Sequence, residues 1–197
     1  MIKSFLYILI ISSFLHSCAS DYYRLNLYNP GYDIIYVETF AGPYTTPKFA
    51  DDSFTILPDA LSSLRVPGIT QYKTDFVMKK IEGDSLDIIQ RVSARDMKEG
   101  EGLTIRFKDN KILLMENNNI IAEDNNHMFN NDSEYIVQLI QEGKNSKLIM
   151  DCDTVFNVFT DLTAADYTTF KTYDTKVNIY SPEIIELKKT DYFNFFQ

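Results

Sequence analysis

The chain has 197 residues, 45% of them hydrophobic, and a formal net charge of −9 at pH 7. This length and composition suffice for one domain with its own apolar core. The acidic balance and the lack of any Lys/Arg run argue against nucleic acid as a partner, because phosphate binding needs clustered basic side chains.

The first 17 residues have the composition of an export signal. Lys3 gives a positive start, and residues 5–15 are almost wholly apolar. This run is too short to cross a bilayer, which needs about 20 apolar residues. Its length and position are typical of a signal peptide, so we predict that residues 1–17 are removed.

The apolar run ends in Leu15-His16-Ser17-Cys18. These residues resemble the lipobox of bacterial lipoproteins, in which a branched apolar residue stands three positions before the cysteine and a small residue one position before it. The resemblance implies cleavage before Cys18, a diacylglycerol group on its thiol, and attachment to a membrane of the cell envelope. Ala19, where an aspartate would favour the inner membrane, favours the outer membrane. His16 departs from the pattern, because that position is usually small or apolar.

Two other fates of this segment stay open. Ser17-Cys18-Ala19 also fits the cleavage site of an ordinary secretory signal, with release before Ser20. The segment could also remain as an uncleaved anchor. One acyl chain anchors a protein only marginally, whereas two or three on Cys18 would make its release negligible.

Processing before Cys18 would change the charge and the thiol content. Residues 1–17 carry a single charged residue, Lys3, so 18 basic residues would remain against 28 acidic ones, a formal net charge of −10. Such a chain is repelled by an anionic leaflet, so the lipid would have to provide the anchor. Cys152 would be the one free thiol, which excludes an internal disulfide.

The mature chain divides into a tether and a domain. We interpret residues 18–32 as a lipid-anchored tether and residues 33–197 as a single globular domain. A strand is predicted over 33–40, where β-branched and aromatic residues are frequent. A weaker strand is predicted over 53–57, followed by one helical turn over 59–64.

Residues 72–124 have the clearest β pattern. Short apolar runs alternate with turn-forming residues such as Gly83-Asp84 and Asp109-Asn110. Within the run at 103–108, Ile105 and Phe107 alternate with polar residues. The pattern predicts an antiparallel meander with one solvated face.

The last third of the chain is predicted to mix helices and strands. Residues 131–142 have an apolar stripe at helical spacing, with Asn131 as the cap and Gly143 as the stop. Strands are predicted over 147–162 and 177–180, and shorter helices over 163–174 and 181–189. The predicted fold class is mainly β with α (α+β), an antiparallel meander or sandwich with two or three short helices.

The segment 131–170 resembles part of a known family. A capped helix that ends in Gly-Lys, a strand pair, and then "FTDLTAADYTTF" (159–170) are similar to the C-terminal half of exported bacterial sandwich domains such as the invasion-associated-locus-B-like proteins. The resemblance implies an exported sandwich domain without an assigned enzymatic site.

Cys152 is flanked by Asp151 and Asp153, which invites a metal-binding or nucleophilic interpretation. Two adjacent carboxylates raise the pKa of a thiol, which is the wrong direction for a nucleophile. Strand alternation places Cys152 opposite both aspartates, so we predict that it faces the core together with Leu148 and Met150.

His127 is the one histidine after processing, and it lies near Glu123 and Asp124. A zinc site needs three or four ligands, and a calcium loop needs oxygen ligands at a spacing that Met128 interrupts. A catalytic triad would have to use His127, and neither a Gly-x-Ser-x-Gly elbow nor a glycine-rich phosphate loop is present. We therefore predict no catalytic, cofactor-binding or metal-binding residue; the one predicted site is lipidation at Cys18.

Two functional hypotheses follow. The 13 Tyr and 14 Phe residues can stack on sugars or peptides, although sandwich cores use the same residues. The leading hypothesis is a non-enzymatic envelope protein that binds a protein or glycan partner at a membrane. The alternative is a carboxylate-dependent hydrolase of envelope glycans, since 28 acids always supply pairs and sequence does not give their separation. The aromatic tail at 191–197 is predicted to be a closing strand or a packed tail.

Overall fold

The computed structural model describes residues 22–25, 35–41, 53–65, 69–92 and 101–187. Within these ranges the chain is all β, with fourteen strands and no helix. Accordingly, nothing in the described part forms a helix long and apolar enough to cross a membrane. The strands are β1 (Tyr22–Leu25), β2 (Ile35–Ala41), β3 (Ser53–Ile56), β4 (Leu61–Arg65), β5 (Tyr72–Glu82), β6 (Ser85–Gln90), β7 (Leu103–Lys108), β8 (Lys111–Glu116), β9 (Asn119–Asp124), β10 (Glu134–Glu142), β11 (Asn145–Met150), β12 (Asp153–Phe159), β13 (Tyr167–Thr172) and β14 (Lys176–Glu186).

The strands form two antiparallel sheets that face each other as a sandwich of jelly-roll type. The larger sheet has eight strands in the order β1-β2-β4-β13-β6-β7-β8-β9, and the smaller has six in the order β12-β11-β10-β5-β14-β3. Strands β6 to β9 form a meander, as predicted, whereas β5 belongs to the smaller sheet. The prediction that one face of the meander is solvated is wrong for its middle strands, because consecutive residues are buried on both faces, including Leu113 and Met115 on the outer face of β8. Residues 22–25, within the segment interpreted as a tether, pair with β2 and extend the larger sheet.

The core lies between the sheets, and alternate side chains of the strands point into it. Along β5, every second residue is buried from Tyr72 to Lys80. On β7, Ile105 and Phe107 point into the core together, as predicted. Phe170 of β13 contacts Phe54 and Phe76 edge-on, at centroid distances of 6.4 and 5.6 Å. Each fully buried side chain of this kind contributes roughly 1.5–3 kcal/mol, so the aromatic contacts tie the two sheets together.

The prediction of helices is wrong, and with it the α part of the predicted fold class. Residues 131–142 contain no helix; strand β10 pairs there with both β5 and β11. Burial alternates along β10 from Tyr135 to Gln141, the period of a strand. The same apolar residues also fit a helical spacing, and only the two neighbouring strands decide between the two structures. Gly143 does not end a helix but begins the turn to β11, with φ of 53°.

The other helical predictions fall on strands as well. Strand β4 occupies the predicted turn at 59–64, β13 lies inside 163–174, and β14 runs through the predicted start of a helix at Ser181-Pro182. At that point the register of β14 against β5 shifts, and Ser181 has a φ of 44°. A Ser-Pro pair that is typical of a helix start therefore marks a bulge inside a long strand.

Two connections run side by side from one sheet to the other. Strand β5 leads to β6 through a turn at Gly83, and β13 leads to β14 through residues 173–175. A Cβ atom on Gly83 would lie 2.4 Å from the Cα of Thr175, and Gly83 has a φ of 94°. The Ser85 N–H donates to the Thr175 hydroxyl at 2.8 Å. The two crossings therefore touch backbone to backbone, which only glycine permits.

At the same end of the sandwich, a buried lysine joins the two sheets. Lys80 of β5 is 1% exposed, and its ammonium group is ion-paired with Asp109 in the turn between β7 and β8. It also donates to the carbonyl of Phe129 at 3.0 Å and lies 4.9 Å from the centre of that ring. The charge is thus fully partnered although it is buried, as a buried ion must be.

Arg91, directly after β6, joins the sheets at the opposite end. Its guanidinium donates to the Ser146 hydroxyl at 2.6 Å and to the carbonyls of Gly143, Asn145 and Leu162 at 2.8, 2.7 and 3.1 Å. Burial lowers the pKa of Arg91, since it disfavours the charged form. The residue holds the β10–β11 turn of the smaller sheet against the larger one.

We predict that Gly83→Ala lowers the free energy of unfolding by roughly 2–4 kcal/mol, because the methyl group would collide with the Thr175 backbone and require a positive φ. Gly143→Ala is the matched control. Its φ is also positive, at 53°, but no atom lies within 4 Å of the added methyl, so its cost is about 1 kcal/mol. Urea unfolding followed by circular dichroism measures both. Equal losses would contradict the close contact at Gly83.

Candidate functional site

The candidate site lies on the outer face of the eight-stranded sheet, the face turned away from the smaller sheet. Leu86 and Ile88 of β6 point into the core, so Asp87 between them points to the outer face. The register places Lys171 of β13 and Arg106 of β7 directly opposite Asp87, one on each side. A row of three charged side chains therefore crosses three neighbouring strands.

The carboxylate of Asp87 is 2% exposed and is held by a bidentate ion pair. Arg106 donates from Nε to Oδ1 and from Nη2 to Oδ2, each at 2.7 Å. Tyr173 completes the arrangement: its hydroxyl donates to Asp87 Oδ2 at 2.8 Å and accepts from Arg106 Nη2 at 2.9 Å. Bidentate, charge-assisted contacts are among the strongest hydrogen bonds in proteins, so the three side chains form one fixed unit.

The environment of this unit holds each donor in one protonation state. Burial, followed by the hydrogen bond to Asp87, raises the pKa of Tyr173 to about 12. The pKa of Arg106 is also raised, mainly by its hydrogen bonds to Asp87. At neutral pH the site therefore has a neutral phenol and a permanent cation beside a carboxylate that accepts three hydrogen bonds.

Further positive charge surrounds this unit. The Nζ of Lys171 lies 5.0 Å and the Cζ of Arg106 lies 5.4 Å from the centre of the Tyr173 ring. Lys108 follows Arg106 by two residues on the same face of β7 and stands opposite Lys111 of β8. We refer to Arg106, Lys108 and Lys171 as the cationic cluster. All three side chains are half-buried, and so is the Tyr173 ring.

The arrangement is suited to holding a polar ligand. Proton transfer needs a group that exchanges a proton near the working pH. The pKa of Asp124 is lowered: burial would raise it, but hydrogen bonds from His127 and the histidine charge outweigh that effect. A hydrogen bond from Lys144 lowers the pKa of Asp161. A general acid would require the opposite shift, so neither residue has that character.

The sequence-predicted site at Cys18 lies outside the described residues. The prediction that Cys152 faces the core is wrong, because the side chain is exposed. Asp151 and Cys152 form a two-residue turn between β11 and β12, with φ of 48° and 75°. Positive φ at both positions is the geometry of a type I′ hairpin turn. The alternation used in the prediction ends at Met150, which is buried as expected.

His127 lies in the loop after β9, where it contacts one carboxylate. Its ring Nδ1 is 2.8 Å and its backbone nitrogen 2.9 Å from Oδ2 of Asp124. These contacts shape the loop that leads to β10. Across the described ranges, no group of three or more His, Cys, Asp or Glu residues is placed to hold a metal ion.

Sequence reasoning did not single out Asp87, Arg106 or Tyr173. A signal was present for the first two, because each is a charged residue in the middle of an apolar strand and faces away from its apolar neighbours. What joins them is the register of β6 against β7, which sequence alone does not supply. Tyr173 lay in a segment predicted to be helical.

Comparison of the sequence with protein-family models and with curated proteins gives no match. Solved structures, however, share the architecture. The carbohydrate binding module CBM66 from Bacillus subtilis aligns with a TM-score of 0.51 and 11% identity, over 85% of this chain and 96% of that one. The exoplasmic/lumenal domain of VIP36 in its Ca²⁺/Man-bound form aligns with a TM-score of 0.55 and 13% identity, over 74% and 82% of the two chains.

A sialidase aligns with a TM-score of 0.50 and 11% identity, over 82% of this chain but 17% of the sialidase. Identities this low establish the fold alone. The chain has the sandwich architecture that carbohydrate-binding and lectin-like domains also have.

We predict that Tyr173 titrates near pH 12 in the folded protein, because its hydroxyl is buried against Asp87. Since its pKa in the folded state exceeds the ordinary value of 10.0, its contribution to stability is complete below pH 10 and is lost as the pH rises towards 12. Nuclear magnetic resonance of ¹³Cζ-tyrosine measures the midpoint, and Tyr173→Phe assigns the signal. A midpoint near 10 would contradict the geometry.

Proposed function

We propose that the protein is a non-enzymatic, membrane-anchored domain that binds a glycan at the half-buried side chains around Asp87, on the outer face of its eight-stranded sheet. The unit of Asp87, Arg106 and Tyr173 is the observation that carries this proposal. It presents fixed polar groups next to a half-buried aromatic ring, and sugar ligands need both an apolar surface and precisely placed hydrogen-bonding groups. The fold is compatible with this role, since the CBM66 structure is described as a carbohydrate binding module and the VIP36 domain as Ca²⁺/Man-bound.

Binding fits the site better than cleavage does. Hydrolysis by two carboxyl groups needs one of them protonated, at a separation of about 5–10 Å from the other. Asp87 accepts three hydrogen bonds and is neutralised by Arg106. Nearby, Asp166 is paired with Arg65 at 3.1 Å, and Glu123 with Lys111 at 3.3 Å. These acids are acceptors in ion pairs, so the hydrolase alternative has no specific observation in its favour.

We further propose that a lipid on Cys18 anchors the domain, with the outer membrane as its location. The support is the lipobox-like sequence Leu15-His16-Ser17-Cys18 and the acidic charge of the mature chain, which a leaflet would not attract. Strand β1 begins at Tyr22, four residues after Cys18. Those residues span at most about 14 Å, so an anchored domain would work next to the membrane surface.

The glycan-binding proposal predicts that Tyr173→Ala weakens binding by at least about tenfold, because it removes the aromatic surface and releases Arg106. Tyr180→Ala is the matched control: Tyr180 is also half-buried, but it lies on the outer face of the smaller sheet. A glycan array identifies the ligand, and titration calorimetry compares the variants at temperatures where both are folded. Equal affinity losses in the two variants would contradict the assignment of the site.

The anchor proposal predicts that cells incorporate a fatty-acid analogue into the wild-type protein and not into Cys18→Ala. Cys152→Ala controls for acylation of the other cysteine, which is exposed, and is expected to label like the wild type. Detection is by coupling a fluorophore to the analogue in a denaturing gel. Equal label on wild type and Cys18→Ala would exclude lipidation at this residue.

A further inference from the structure

We propose that the glycan bound at this face is anionic, with carboxylate or sulfate groups on its sugar units. The inference rests on the glycan-binding function proposed above and adds the charge of the ligand. Three observations on the cationic cluster lead to it: a free pair of donors, an uncompensated lysine, and a local charge opposite to that of the whole protein.

The first observation concerns the donors of Arg106. A guanidinium has five N–H groups, one on Nε and two on each Nη. The Nε group and both groups of Nη2 are accounted for by Asp87 and Tyr173. Nη1 makes no hydrogen bond to any residue that the structure describes. Two oriented donors on a permanent cation thus have no partner among the described residues, and a carboxylate or sulfate oxygen is the kind of acceptor that suits them.

The second observation concerns Lys108. It stands directly opposite Lys111 at the end of the β7–β8 hairpin. Like charges in directly opposed positions destabilise a strand pair. Lys111 is ion-paired with Glu123 at 3.3 Å, whereas Lys108 has no acidic partner among the described residues. An anion bound beside Lys108 would relieve this repulsion.

The third observation is the charge of the face over six of its eight strands. The whole chain has a formal net charge of −9. On the outer face of β4, β13 and β6 to β9, the pairing pattern places five basic side chains and two acidic ones, Asp87 and Glu123, and Asp166, directly before β13, is a third acidic neighbour because it is ion-paired with Arg65. The basic side chains are Arg65, Lys171, Arg106, Lys108 and Lys111. An acidic protein thus presents a locally positive surface at the candidate site.

The outer face of the smaller sheet differs in this respect. Two of its lysines have acidic partners on the same face: Lys73 is ion-paired with Asp75, and Lys79 with Glu134 at 3.7 Å. Charges separated by more than about 10 Å are screened at ordinary ionic strength, so a ligand responds mainly to the charge of the face that it touches. The positive surface is therefore specific to the face that carries Tyr173.

Three oligosaccharide probes of similar length test the proposal: oligogalacturonate, which carries carboxylates; a sulfated dextran oligosaccharide; and neutral dextran. The processed protein is titrated with each by calorimetry. We expect at least one anionic probe to bind about tenfold more tightly than neutral dextran at about 50 mM NaCl, and this preference to shrink at about 500 mM NaCl. The probe that binds better identifies the anionic group.

Two variants localise the effect. Lys108→Gln is expected to weaken binding of the preferred anionic probe about fivefold or more and to leave folding intact, since it breaks no ion pair among the described residues. Lys147→Gln is the matched control, a lysine on the outer face of the smaller sheet, and is expected to bind like the wild type. Equal losses in both variants would indicate non-specific charge attraction and would overturn the proposal.

The remaining outcomes separate this inference from the proposed function. Equal or tighter binding of neutral dextran, unaffected by salt, would overturn the anionic ligand and leave glycan binding in place. If neither these probes nor any glycan on the array binds, glycan binding itself is contradicted, and the inference is lost with it.

Discussion

The two connections that cross from sheet to sheet are in backbone contact, and this contact decides how the sandwich is assembled. Gly83 lies against the backbone of Thr175 with no room for a side chain. Strands β5 and β14 are neighbours in one sheet and β6 and β13 in the other, so this contact fixes how the two sheets lie over each other. It also fixes Tyr173, the residue directly after β13, next to Asp87 and Arg106. The position of the candidate site therefore follows from the way the chain crosses between the two sheets.

Two buried charges also hold the sheets together. Taking an ion out of water costs several kcal/mol unless its partners are well placed. Lys80 meets a carboxylate, a carbonyl and an aromatic ring, and Arg91 meets one hydroxyl and three carbonyls. Each joins the two sheets, at opposite ends of the sandwich. We interpret these contacts as selecting one arrangement of the sheets, since a misaligned pairing would leave a charge buried without partners.

The strands were predictable wherever the apolar residues fit the strand period of two and did not also fit a helical period. The runs between residues 72 and 124 are of this kind, because alternating β-branched residues and turn residues allow no helix of useful length. Residues 131–142 fit both periods, and the strand form wins because β5 and β11 offer partners on either side. Cys152 was misplaced because its turn has two positive φ values, for which Asn or Gly is the usual sequence signal.

Single residues of the site were predictable from the sequence, but their arrangement was not. Asp87 and Arg106 each interrupt an apolar strand, which marks them as exceptions, but their pairing depends on register. Tyr173 joins them through a contact 67 residues away from Arg106 along the chain. Long-range register of this kind is decided by the whole sandwich and leaves no local pattern. The surface charge of the site, opposite in sign to that of the chain, becomes visible only once the strands are paired.

We propose that the ligand binds on the face of the larger sheet that carries Asp87, Arg106 and Tyr173. A ¹⁵N-labelled sample titrated with an anionic oligosaccharide tests it most directly, with the Arg106 Nε–H signal as the internal reporter, because that group is fixed against Asp87. We expect shifts of this signal and of amides around Lys171, Asp87 and Lys108. Shifts confined to β5, β10 and β14, with the Arg106 Nε–H signal unmoved, would contradict it.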